Sequence, residues 1–189
     1  MIATVIREPA AQLMSLLWHL HAYETGRVVG RTHPHASEST HRDLLRWAMR
    51  CRYRRQGLQS KWFILDDQAW RRYRYPNDIA PVCLSAAEGL ARCHIVGVSE
   101  RLRDTLRLVA WRMRLPAPRD VPHARNTTAG TLPMSDSIRT LLRDHLACDT
   151  ELYGRAYSRF AKDYAALVAE AGGETSIDRY LDGRAMLPR

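Results

Sequence analysis

The chain predicts an α/β fold on three observations. Two short apolar runs have strand character, at Ala3–Ile6 and at His94–Val98; each is followed by residues with amphipathic helical spacing; and each turns into its helix at a typical start signal, Pro9 in the first case and Ser99 in the second. Ala3, Val5 and Ile6 make a run of the kind found in a buried parallel strand. Pro9 sits where a first-turn proline costs nothing, because the amide it lacks would have no helical partner there. Leu13, Leu16, Leu17 and Leu20 follow the i, i+3, i+4, i+7 spacing of one helical face.

This opening is also the first candidate site. Arg7 falls at the carboxyl end of the first strand, beside the positive end of the following helix, with Ser15 two turns along. A guanidinium and a hydroxyl placed so would hold a phosphate, each charge-assisted bond being worth roughly 1.5–3 kcal/mol when desolvated. The alternative is a surface pairing of Arg7 with Glu8 or another acid.

Composition limits the class. With 189 residues, 46% of them hydrophobic and 26% charged, the chain suits a single globular domain over 1–189. No run of about 18 apolar residues offers a membrane span, and Arg7, Glu8 and Pro9 interrupt the amino terminus before a signal peptide could develop, so a cytoplasmic location is expected. The net charge of +9 favours anionic partners. Only Lys61 and Lys162 are lysines, a bias that codon usage explains as readily as phosphate recognition does. Cys51, Cys83, Cys93 and Cys148 show neither a CxxC pair nor metal-ligand spacing and are expected as buried free thiols in a reducing compartment; no metal is expected.

Further along, GRVVGRTHPHASESTH marks a loop, and Thr40 with Asp43 opens a helix over about 41–54. Its arginines, Arg42, Arg46, Arg50, Arg52, Arg54 and Arg55, form either a solvated face or a track for a polyanion. GLQSKWFILDDQAWRRYRYPNDI mixes aromatics with arginines; Trp62, Phe63 and Trp70 are read as core before sugar or base stacking. A short helix is expected over 84–92, then the second buried strand, whose Gly97 admits a close approach. Ser99 is expected to cap a helix with Leu102, Leu106, Val109 and Met113 on one side, ended by Pro116, Pro118 and Pro122. PHARNTTAGTLP is a polar loop in which Arg125, Asn126, Thr127 and Thr128 offer donors to an anion, or an ordinary surface turn. Ser135 starts a helix to about 146, and Asp149 caps a longer one through Ala171, closed by Gly172 and Gly173; the last 16 residues are weakly patterned.

Four of these segments, VIREPAAQLMS, GLQSKWF, IVGVSERLRDTLRLV and HARNTTAGTLP followed by DTELYGRAYSRF, together resemble the sulfotransferases that use the nucleotide PAPS, most closely the carbohydrate branch with heparan sulfate and uronyl 2-O-sulfotransferases. The resemblance spans roughly residues 1 to 165 and places Arg7 and Ser15 in the register of the motif that holds the nucleotide's 3′-phosphate. It makes Arg125, Asn126, Thr127 and Thr128 part of a cofactor-closing loop, and GLQSKWF a helical segment. What it implies is a three-layer, P-loop-kinase-like α/β fold, mostly helical in the part present, and transfer of a sulfuryl group from PAPS to a hydroxyl, of a carbohydrate or similar acceptor. PAPS and its desulfated product PAP are then the expected cofactor partners.

The family's phosphate loop and catalytic base precede the arginine strand, so neither transfers onto this sequence, and no catalytic residue is assigned. The expectation is an amino-terminally truncated enzyme that binds PAPS weakly or not at all and turns over little. Gly26-Arg27 and Gly30-Arg31 belong to no GxxxxGK pattern, and His33 and His35 are expected as exposed loop histidines. Two rivals stand beside this reading. One is a non-catalytic binder of a nucleotide or sulfated glycan, and the other a basic helical nucleic-acid binder, ranked last because no nucleic-acid-binding signature is present.

Overall fold

The computed structural model describes residues 1–13, 15, 59–63, 80–120, 136, 140 and 146–186. The sheet within them has two strands, β1 (Ala3–Ile6) and β2 (Ile95–Val98), paired in parallel with Ala3 opposite Ile95 and Ile6 opposite Val98. A parallel pair needs a long crossover, and here 88 intervening positions separate Ile6 from Ile95. His94 closes the lower end of the pair, its Nδ1 accepting from Ile2 N–H at 3.0 Å.

β2 is buried along its whole length. It is followed by a 3-10 turn (Ser99–Arg101) and α2 (Leu102–Met113), while α1 (Ala80–Ala91) precedes it. The chain ends in α3 (Ala147–Ala171), a second 3-10 turn (Glu174–Ser176) and α4 (Ile177–Ala185). Side chains alternate across a strand, so β2 offers Val96 to Leu152 and Ala156 of α3 and turns Gly97 toward Thr105 of α2. Thr105, 1% exposed, is tied to the strand by accepting from Val98 N–H and donating to Val98 C=O, both at 3.0 Å. The close approach expected at Gly97 is therefore to α2 itself: a Cβ there would overlap Thr105 Cγ2 and lie 2.7 Å from its Oγ1.

That contact rotates α2 relative to the expected face. Thr105, Leu108, Ala110 and Trp111 are buried, whereas Leu102, Leu106 and Val109 are only half-buried and Met113 is 43% exposed. Ser99 is not a cap; its hydroxyl donates to Glu100 Oε1 at 3.1 Å and the helix start has no side-chain cap. Pro116 does follow the end of α2, which closes through a left-handed Arg114, with Leu115 N–H on Ala110 C=O at 2.9 Å.

α3 supplies the main core surface. Leu152, Ala156, Phe160, Tyr164 and Leu167 recur on one stripe and pack with Val98, Leu108, Trp111, Ile177 and Leu181, or with the Ile6 and Val96 side of the sheet. Its end at Gly172 and Gly173 is as expected, the two amides returning to Ala169 and Val168 carbonyls at 3.3 and 3.0 Å. The weakly patterned terminus folds as α4 because Ile177 and Leu181, one turn apart, reach this core, and Asp178 accepts two 2.8 Å bonds from Arg107. The pair holds the Asp178 carboxyl below its ordinary value, chiefly through the Arg107 hydrogen bonds.

Two expectations fail on burial. β1 is covered on one face only: Ile6 is 1% exposed but Val5 50%, because α2 lies over β2 rather than β1. The cysteines are not all free thiols. Cys83 and Cys148 form a disulfide between the first turns of α1 and α3, while Cys93 is a free, buried thiol whose pKa burial pushes up. None of the described helices is long and apolar enough to cross a membrane. The expected helices over 41–54 and 135–146, and Cys51, His33, His35 and Trp70, lie wholly or largely outside the described residues.

Candidate functional site

Because Ile6 and Val98 are paired, the chain leaves the sheet at adjacent points, Arg7–Glu8 from β1 and Ser99–Glu100 from β2. This carboxyl-terminal crest is where open α/β sheets place ligands. Residues 9–13 are helical and start as expected: Pro9 takes the first position, Ala11 N–H donates to Glu8 Oε2 at 2.6 Å and Gln12 N–H to Glu8 C=O at 3.0 Å.

The cap changes the electrostatics of the site. Glu8 places its own carboxylate on the helix start, the position from which a phosphate was expected to gain. Glu100 occupies the neighbouring donor, accepting Glu8 N–H at 2.7 Å, and its other oxygen accepts from Tyr153 OH at 3.3 Å. Burial first, then the Glu100 charge, pushes the Tyr153 hydroxyl up to about 12. The Glu8 and Ala11 amides are thus both taken by carboxylates. Arg7, at the end of β1, and Ser15, in helical conformation beyond it, are half-buried.

Arg7 is held from behind by a relay absent from the sequence reading. Its N–H donates to Gln59 Oε1 at 2.9 Å and its C=O accepts from Gln59 Nε2 at 2.6 Å, so one amide side chain fixes both backbone groups. Gln59 is held in turn by Asp149, 1% exposed, which accepts from Gln59 N–H at 3.2 Å, Ser60 N–H at 2.8 Å and Ser60 OH at 2.6 Å. Asp149 is therefore not a helix cap; it sits in the first turn of α3 and points into the interior. The segment GLQSKWF forms a 3-10 turn at Ser60–Phe63, with Phe63 in the core as expected. The turn is seated on α1 where Gly89 has no side chain: a Cβ there would collide with the Phe63 carbonyl.

Of the predicted site residues, Arg7 and Ser15 belong to this one strand-to-helix unit, while Arg125, Asn126, Thr127 and Thr128 lie outside the described residues. Gln59, Glu100, Tyr153 and Asp149 were missed as site residues. All four lie in segments that carry the resemblance, Gln59 in GLQSKWF, Glu100 in IVGVSERLRDTLRLV, and Asp149 and Tyr153 in DTELYGRAYSRF, but only Asp149 was singled out, as a helix cap. Among the described residues no group of three or more His, Cys, Asp or Glu side chains is placed to hold a metal ion.

The fold and crest define an α/β protein with a parallel strand pair and an arginine, its backbone clamped, at the carboxyl end of the strands. No protein-family model matches the chain, and neither a curated protein nor a solved structure does.

Proposed function

We propose that the chain forms the nucleotide-holding part of a PAPS-dependent, sulfotransferase-like protein, in which Arg7 and Ser15 bind the ribose 3′-phosphate and a sulfuryl group passes from PAPS to a carbohydrate hydroxyl. The observation that carries this reading is the parallel register of β1 and β2, which sets Arg7 on the same crest as Ser99 and Glu100 while Gln59 fixes its backbone. With the backbone fixed, the guanidinium loses less freedom on meeting a phosphate, and preorganisation of that kind raises affinity without new contacts. Gln12 supports the reading too: its Oε1 is buried without a partner among the described residues, an acceptor that a ribose hydroxyl or an adenine amino group would satisfy.

Contacts to the 3′-phosphate are remote from the reacting sulfur. They serve to orient the cofactor, and catalysis then depends on how positioning and charge stabilisation act at the transferring group. Isothermal titration with PAP tests the assignment. Weak binding is expected that vanishes in Arg7→Ala and survives in Arg92→Ala, an exposed arginine away from the crest, with circular dichroism unchanged in both. Binding indifferent to Arg7→Ala overturns the site. Binding of a sulfated glycan with no response to PAP favours the non-catalytic anion binder instead.

A further inference from the structure

The Cys83–Cys148 disulfide stands one residue from the relay that holds Arg7. Cys148 is 2% exposed and Cys83 half-buried, and the residue after Cys148 is Asp149, the acceptor for Gln59 N–H, Ser60 N–H and Ser60 OH. We propose that this disulfide is a thiol–disulfide switch on the crest: the oxidised chain holds Asp149, Gln59 and Arg7 in place, and reduction releases them. The consequence for nucleotide affinity rests on the reading of Arg7 as an anion ligand; the structural response does not.

The argument is geometric. The bond is the covalent link between the first turns of α1 and α3, and reduction removes it. Asp149 rides on the α3 turn, and its hydrogen bonds of 2.6–3.3 Å depend on that turn staying in place. α1 is tied by the same bond, and it carries the Gly89 seat of the Ser60–Phe63 turn. Both supports of Gln59 are thus coupled to one bond. The deeper part of α3 is held independently, by Ala156, Phe160, Tyr164 and Leu167 in the core, so loosening is confined to its start.

The step balances with an external dithiol as reductant. A dithiol thiolate attacks the more accessible Cys83 sulfur, Cys148 leaves and takes a proton, and the mixed disulfide is resolved by the second dithiol sulfur. Two electrons and two protons pass to the protein pair, and the reductant becomes a cyclic disulfide.

Amide hydrogen exchange on the full chain, with dithiothreitol as the reductant, tests the proposal after mass spectrometry of unreduced, alkylated protein has sought the Cys83–Cys148 linked peptide. The expected result is that peptide, together with at least tenfold faster exchange at Arg7, Gln59 and Ser60 on reduction and unchanged protection over 156–167. Cys83→Ser and Cys148→Ser should show the fast exchange without reductant. A chain carrying Cys51→Ser and Cys93→Ala, which retains only the proposed pair, should respond like the parent. Absence of the linked peptide, unchanged exchange at those amides, or equal loss of protection throughout α3 each overturns the switch. If the exchange response is present but PAP binds neither form, the switch stands and the nucleotide reading falls.

Discussion

Replacing Gly97 by alanine tests the packing on which the crest depends. The new methyl group would overlap Thr105 Cγ2 and lie 2.7 and 2.9 Å from Thr105 Oγ1 and Cβ. Neither partner can yield cheaply. β2 is held in register by β1, and Thr105 is fixed in α2 by two 3.0 Å bonds to Val98 and by the buried Leu108 and Trp111 on the same helix. Overpacking a buried site costs typically 1–3 kcal/mol, and losing two hydrogen bonds adds roughly 0.5–1.5 kcal/mol each. The expected destabilisation is about 2–6 kcal/mol, a large share of the 5–15 kcal/mol typical of a domain. The partner substitution Thr105→Gly removes the obstructing atoms, so in a double-mutant cycle Gly97→Ala with Thr105→Gly should be more stable than the sum of the single effects by at least about 2 kcal/mol. Urea unfolding followed by far-ultraviolet circular dichroism and tryptophan fluorescence measures all four corners of the cycle. A Gly97→Ala protein within about 0.5 kcal/mol of the parent, or additive energies, would refute the close-packing account of α2 on β2.

Three further outcomes follow from the same structure. Asp149→Ala should cost about 3–5 kcal/mol by leaving Gln59 N–H, Ser60 N–H and Ser60 OH buried and unpaired, while Asp149→Asn, which keeps an acceptor at the Oδ1 position, should cost less than half as much; equal costs in urea unfolding would discard the relay. Burial, then the hydrogen bonds to Asp104 and Glu174, holds the Tyr164 hydroxyl up at about 12, against an ordinary 10.0. A raised folded value means that the proton is kept by the fold, so this contribution, on the order of 2–3 kcal/mol, is complete below pH 10 and is lost as pH rises toward 12; Tyr164→Phe should flatten that alkaline decline, and an identical pH profile would contradict the assignment. Arg114→Gly should stabilise the chain by about 0.5–1 kcal/mol, because Arg114 closes α2 at φ 54°, a gain readable as a raised urea midpoint.

Much of the scaffold was legible because it rests on local chemistry. Pro9 suits a first helical turn and Glu8 before it caps that turn locally, and Gly172–Gly173 ends a helix by supplying the left-handed turn and two returning amides. Both strands appear where apolar β-branched residues cluster. The α2 face was misread because Leu102, Leu106, Val109 and Met113 are the more apolar stripe, and only the contact with Gly97 shows why the smaller Thr105 faces inward. α4 carries just two buried apolar residues, too few for a periodic signal before α3 is there to receive them.

The site divides along the same line. Sequence alone determined that Arg7 ends an apolar strand, that a helix begins two residues later, and that Ser15 lies on it, since those facts need only neighbours in the chain. Tertiary structure decided what surrounds Arg7: Gln59 on its backbone, Asp149 behind Gln59, Glu100 beside Glu8, and a disulfide joining Cys83 to Cys148. Those partners come from positions 52 to 92 residues apart. Hydrogen bonding and thiol pairing are set by distance in space, and a linear pattern carries no measure of it.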